Sequence, residues 1–198
     1  MNHSAHNLFV AVDVQNDFVD GSLAVSEGKA VIEPLNQLAQ AVRKTMGRVA
    51  FTRDWHPATT PHFETWPVHC VAGTPGADFH PALDVRPTDL VLSKGMGQTD
   101  GYSGIEAVAG DGTTLESLIA AHKKVRVFLG GLATDYCVKA TAVDLAQIAQ
   151  NNVDVYAITD AMRGVNLQPG DSEQAIEAMQ EAGVTVLELN QALALVAE

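Results

Sequence analysis

The sequence predicts an α/β fold: a doubly wound, mainly parallel sheet of six strands with helices on both faces. Three observations carry that expectation. Short apolar runs alternate with helical segments from one end of the chain to the other. Residues that start and stop helices bracket several of those segments. Reactive residues stand where the apolar runs end, and open α/β sheets build their sites outside the carboxyl ends of their strands.

Residues 8–14 form the first apolar run, a buried strand with an acid, Asp13, at its end. Burying an ionisable group there is costly unless it is paired or used. Gln15-Asn16-Asp17-Phe18 opens a polar loop that Asp20-Gly21 closes. A helix is expected over about 31–44, with Pro34 in its first turn, where a missing N–H costs little. Residues 48–52 are the second strand. The third, 89–94, ends in Lys94 and runs into a Gly-rich loop, 95–112. Thr113-Thr114-Leu115-Glu116 has the spacing of a capping box and starts a helix to about His122. The fourth strand, 125–129, leads through Gly130-Gly131-Leu132-Ala133-Thr134-Asp135-Tyr136-Cys137 into an amphipathic helix, 138–149. A fifth strand, 154–159, ends at Asp160. Asp171 or Ser172 caps a helix to about Ala182, and Gly183 stops it. Residues 184–189 are the sixth strand, and Asn190 caps a short last helix.

At 198 residues, one domain covering 1–198 is the simplest count, and a hydrophobic fraction of 46% suits an ordinary core. The net charge of -12 is dispersed and no Lys or Arg stripe forms, so neither nucleic acid nor an anionic membrane is an expected partner. Two cysteines, Cys70 and Cys137, make no disulfide framework and suit a reducing cytoplasm. The first seven residues lack a basic region and Asp13 breaks the apolar run that follows, which reads as neither signal peptide nor membrane span.

Cys137 is expected in the first turn of a helix, directly after a strand. The positive helix end favours a thiolate there, and free N–H groups of the first turn can receive an oxyanion. Taken alone, such a cysteine reads more readily as a small space filler beside a strand. The loop between strands two and three holds three of the seven histidines with an aspartate: Asp54, His56, His62 and His69, spaced Asp-x-His-x5-His-x6-His. Imidazole and carboxylate together suit a borderline divalent metal; the alternative is a wet loop with scattered histidines. Asp13, Asp54, Lys94 and the Cys137 turn follow strands one to four. Four reactive groups at four same-side strand ends raise Cys137 from packing residue to nucleophile.

The chain resembles the nicotinamidase/pyrazinamidase branch of the isochorismatase-like cysteine hydrolases. The stretches that carry the likeness are residues 12–18 (Val12-Asp13-Val14-Gln15-Asn16-Asp17-Phe18), Asp54-Trp55-His56-Pro57, residues 66–77, Lys94-Gly95, Tyr102-Ser103-Gly104 and Gly131 to Val138. The resemblance implies an isochorismatase-like, Rossmann-like fold and hydrolysis of nicotinamide to nicotinic acid and ammonia, and of pyrazinamide to pyrazinoic acid, in NAD salvage. It implies that Cys137 attacks the carboxamide carbon to form a thioester. Asp13 takes the thiol proton and passes it to ammonia, while Lys94 orients Asp13 and favours the ionised forms. The N–H groups of Ala133 and Cys137 form the oxyanion hole, with a cis Leu132–Ala133 peptide aiming the first. Asp54, His56, His62 and His69 hold one divalent ion, zinc first, with iron and manganese as alternatives, and the ring nitrogen meets that ion. Phe18, Leu23, Trp66, Tyr102 and Ala133 wall the ring.

Cys70 reads as structural, His3 and His6 as a mobile tail, and His122 as a helix end; His80 matches the family without a derivable role. Ile105, the short stretch between His62 and Trp66, and the Gly-rich 96–101 depart from the family pattern and leave the ring-pocket outline open. Two other readings remain: a related amidase acting on an N-carbamoyl or other small amide, whose members typically lack the histidine loop, and a non-catalytic metal-binding protein of the same fold. The expected partner is a small-molecule substrate, with self-association open.

Overall fold

The structure, a computed structural model, describes residues 5–97, 100–148 and 152–198. Its strands are β1 (His6–Val12), β2 (Arg48–Asp54), β3 (Leu90–Lys94), β4 (Val125–Leu132), β5 (Val153–Arg163) and β6 (Thr185–Leu187). They form one sheet in the order β3-β2-β1-β4-β5-β6, and every neighbouring pair is parallel. The helices are α1 (Asn16–Val19), α2 (Ile32–Lys44), α3 (Leu115–Ala120), α4 (Lys139–Ile148), α5 (Asp171–Glu181) and α6 (Leu189–Val196). Among the described residues no helix is long and apolar enough to cross a membrane.

Strand alternation builds two cores from β1. Phe9 and Ala11 join Leu35, Leu38 and Val42 of α2 and Ala192 and Val196 of α6. Leu8, Val10 and Val12 join Leu115 of α3, Ala142 and Leu145 of α4 and Met179 of α5. Each fully buried leucine of this kind contributes about 1.5–3 kcal/mol. The chain runs outward from β1 through β2 to β3, then returns to β4 on the other side of β1. The connections therefore diverge beyond the carboxyl ends of β1 and β4, which opens a crevice there. Gly130 and Gly131 let β4 reach it. A Cβ on Gly130 would lie 2.7 Å from the Ala161 carbonyl oxygen, and one on Gly131, at φ 132, would overlap that of Val12.

The structure revises several expected boundaries. β5 continues past Thr159 and Asp160 to Arg163, because a register shift between Leu129 and Gly131 lets Gly131 and Leu132 pair with Met162 and Arg163. Thr114 caps α3 reciprocally with Ser117, one residue beyond the expected box. Gly170, in the left-handed region at φ 93, precedes α5, while the Asp171 carboxylate accepts from the Gln168 N–H instead of capping. Glu188, not Asn190, caps α6, paired with Gln191. His6 is no tail residue: it begins β1, and its ring stacks on His122 at 3.7 Å. His3 and the expected end of the α4 helix at residue 149 lie outside the described residues.

Candidate active site

Four adjacent strands deliver four reactive groups to one place. Lys94 and Asp54 are the last residues of β3 and β2 and are register partners. Asp13 follows β1 with φ 52, a backbone conformation that turns the chain sharply off the strand. Cys137 follows β4, on a π-helical turn (Thr134–Val138) that leads into α4 and not in the first turn of an α-helix. Lys94 Nζ lies 2.8 Å from Asp13 Oδ2, 2.5 Å from Asp54 Oδ1 and 3.5 Å from Cys137 Sγ. Thr52 Oγ1 donates to Asp13 Oδ1 at 2.7 Å. Lys94 meets Asp13 Oδ2 at ion-pair distance but without hydrogen-bond alignment, so that oxygen keeps a lone pair for another donor.

Burial works against every charge in this cluster. It pushes the Asp13 carboxyl up, and the Lys94 ammonium offsets only part of the rise. It pushes the Cys137 thiol up as well; Lys94 opposes, and the Asp13 and Asp54 charges add to the rise. Burial thus works against the thiolate that a helix end would favour, and the sulfur sits beside a carboxyl that burial also pushes up. Burial acts against the Lys94 charge, but Asp13, Asp54 and Cys137 outweigh it and hold the ammonium well above its ordinary value. At Asp54 burial is likewise overcome, by Lys94 and His56, and the carboxyl stays below the usual range.

Asp54 links this cluster to the histidine loop. Its Oδ2 lies 3.7 Å from His56 Nε2. Gln15, wholly buried, clamps the junction: Nε2 donates to the Asp54 and Ala77 carbonyls and Oε1 accepts from the Asp54 N–H, each at 2.8 Å. The Cys70 N–H donates to Asp17 Oδ2 at 2.7 Å, and the His56 N–H donates to the Cys70 carbonyl at 3.0 Å. The Cys70 thiol is buried in the core and pushed far up by that burial, a structural placement. One ring nitrogen from each of His56, His62 and His69 lies within 4.8 Å of the others. Every Nδ1 already has a partner: the Gly95 carbonyl for His56, Asp100 for His62 and the Pro67 carbonyl for His69. That leaves the Nε2 atoms, and His56 Nε2 is buried without a hydrogen-bond partner. Three convergent imidazoles beside the Asp54 carboxylate fit a divalent metal ion.

A small pocket opens between cysteine and histidines. Phe18, Leu23, Trp66, Tyr102 and Ala133 all line it, as do His62, His69 and Cys137. Trp66 Nε1 donates to the Tyr102 hydroxyl at 2.9 Å, which ties two walls together. The Leu132–Ala133 peptide is cis. The Ala133 carbonyl accepts from the N–H groups of both Tyr136 and Val138.

The Isochorismatase domain family matches residues 7–191, the span that carries every one of these groups. The chain belongs to the isochorismatase family. It is 37% identical over 187 residues to the nicotinamidase/pyrazinamidase of Mycobacterium tuberculosis (strain ATCC 25618 / H37Rv), covering 90% of this chain and 96% of that one. The crystal structure of a Pyrococcus horikoshii pyrazinamidase in complex with zinc superposes with a TM-score of 0.80 at 33% identity, over 92% of this chain and 99% of that chain. An L. infantum protein solved in complex with nicotinate gives a TM-score of 0.78 at 31% identity, over 96% and 95%.

Within this isochorismatase-family site, two pocket walls had not been expected: Tyr136 and Val165. Tyr136 is legible in retrospect, since it stands beside Cys137 on a turn that faces the crevice; its ring meets Trp66 edge-on at 4.9 Å. Val165 carries no local signal. It is placed by Asp135, whose carboxylate accepts from the Val165 N–H at 2.9 Å and the Asn166 N–H at 2.8 Å. His80 stays away from the chemistry: its N–H donates to the Val14 carbonyl, and its Nε2 lies 3.8 Å from Asp20.

Proposed function

We propose that this chain is a cytoplasmic nicotinamidase, one domain with one site, which hydrolyses nicotinamide to nicotinic acid and ammonia, and pyrazinamide to pyrazinoic acid, in NAD salvage. The observation that carries the reading is one ammonium, Lys94 Nζ, within reach of Asp13, Asp54 and the Cys137 sulfur at 2.8, 2.5 and 3.5 Å. The substrate names come from the M. tuberculosis relative and the P. horikoshii and L. infantum structures.

The chemistry follows from the protonation states. Cys137 passes its proton to Asp13 Oδ2 as Sγ attacks the carboxamide carbon, so the sulfur is charged only as the bond forms. Lys94 supports that transfer by holding Asp13 in place and balancing the charge. The N–H groups of Ala133 and Cys137 receive the oxyanion; the neighbouring N–H groups of Tyr136 and Val138 are already spent on the Ala133 carbonyl. Asp13 then gives its proton to the leaving nitrogen, ammonia departs, and a thioester remains. Asp13, again a carboxylate, takes a proton from the water that cleaves it.

Phe18, Leu23, Trp66, Tyr102 and Ala133 hold the aromatic ring and keep bulk water from the sulfur. Asp54, His56, His62 and His69 hold one divalent ion, zinc before iron or manganese. Bound there, the ion supplies a Lewis-acidic anchor for the ring nitrogen. The three convergent histidines favour this reading over the amidases that lack such a loop. The test is ammonia release from nicotinamide by the purified protein, with Cys137→Ala as control. Release by wild type and none by the variant is the expected result; no release by wild type, or equal release by both, rejects the reading.

A further inference from the structure

The three histidines do not lean on equal partners. His56 and His69 each place Nδ1 against a backbone carbonyl, Gly95 at 2.9 Å and Pro67 at 2.7 Å. His62 alone of the three places Nδ1 against a carboxylate, Asp100 Oδ1, at 2.7 Å. Asp100 stands in the Gly-rich loop after β3, and its side chain is 54% exposed while that of His62 is 3% exposed. The same loop also governs His56. Gly101, at φ 65, folds back on Gly95 so closely that a Cβ on it would lie 2.6 Å from the Gly95 nitrogen, and Gly95 supplies the carbonyl that His56 uses.

A carbonyl offers a partial charge and a carboxylate a full one. A carboxylate behind an imidazole fixes its tautomer and orientation and makes its other nitrogen a stronger donor. We propose that Asp100 is a positioning residue for the metal-binding group: it locks His62 as an Nε2 donor and makes it the strongest of the three imidazole donors. The inference rests on the metal-site reading above and assigns a task to the loop that departs from the family pattern.

The test is metal affinity, read apart from turnover. Zinc binding to metal-stripped wild type, Asp100→Ala, Asp100→Asn and His62→Ala is measured by competition with a chromophoric chelator, and the visible spectrum of bound cobalt(II) is recorded for each. Asp100→Ala should weaken zinc roughly 10–100-fold, the loss usual for a partner behind a metal-binding histidine. Asp100→Asn keeps an oxygen acceptor without the charge and should fall between, with the cobalt bands displaced in both variants. Both Asp100 variants within twofold of wild type, while His62→Ala is weakened, would overturn this inference and leave the metal site standing. No zinc uptake by wild type, or none lost in His62→Ala, would overturn the metal site and this inference together. Metal-free Asp100→Ala leaves the buried His62 Nδ1 unpaired and should unfold below wild type, whereas Asp100→Asn keeps an acceptor there and should unfold at the wild-type temperature, so weakened zinc binding in Asp100→Asn is not a folding defect.

Discussion

Lys94→Gln removes the ammonium that two buried carboxylates share. Asp13 is fully buried and Asp54 nearly so, with Nζ at 2.8 Å from one and 2.5 Å from the other. Removing one partner from a buried ion pair costs about 3–5 kcal/mol, since the charge left behind is neither solvated nor paired. For a chain of this size each kcal/mol moves the melting temperature by about 2–4 °C, so a fall of roughly 6–20 °C is expected at pH 7. The pH dependence has a definite sign. Asp54 is held below its ordinary value, so its contribution is present above the unfolded carboxyl pKa of about 3.9 and is lost as pH falls through the folded value. Asp13 is held above, so ionising it costs stability as pH rises from about 3.9 through its folded value. Without Lys94 both carboxyls move up, and both take protons more readily on acidification. The stability gap between wild type and Lys94→Gln should therefore narrow from pH 7 to pH 5. The assay is urea unfolding of metal-free protein at both pH values, with Asp13→Asn and the double variant Asp13→Asn/Lys94→Gln. The double variant should be less destabilised than the sum of the singles by about 0.5–3 kcal/mol. Simple additivity, a loss below about 1 kcal/mol in Lys94→Gln, or a gap that widens towards pH 5 would refute the reasoning.

Cys137→Ala should abolish turnover, whereas Cys70→Ala, which removes a core thiol, should lose some stability and keep a measurable rate; iodoacetamide should label Cys137 first, with nicotinamide protecting it, and preferential labelling of Cys70 would contradict the assignment. Stripping the metal should raise KM for nicotinamide more than it lowers kcat, and benzamide, which lacks the ring nitrogen, should be a poor substrate; benzamide turning over as fast as nicotinamide would remove the metal from ring binding. Asp135→Ala frees the loop that carries Val165 into the pocket, should cost on the order of 2 kcal/mol through two lost charge-assisted hydrogen bonds, and should raise KM; steady-state kinetics with unchanged KM would show that the clamp does not shape the pocket.

Much of the site was legible because parallel sheets collect strand ends. Once residues 8–14, 48–52, 89–94 and 125–129 read as strands, Asp13, Asp54, Lys94 and the Cys137 turn had to fall on one side of the molecule. Their mutual distances needed more: the order β3-β2-β1-β4 makes the four strands neighbours, and a different order of the same strands would have scattered them. The surroundings of Cys137 were legible only in part, for a physical reason. A helix end is a local feature, visible in sequence, while burial among other segments is not, and burial pushes this thiol up.

What the sequence determined by itself is whatever acts within a few residues: the alternation of strand and helix, the reactive groups at strand ends, the spacing of Asp54, His56, His62 and His69, and the motifs of the isochorismatase family. What the tertiary structure alone decided is whatever depends on a partner far along the chain. Gln15 clamps Asp54 across 39 residues, Asp100 backs His62 across 38, and Asp135 sets Val165 across 30. A hydrogen bond between distant segments leaves no periodic trace in either one, so each of these partners becomes visible only when the sheet has brought the two segments together.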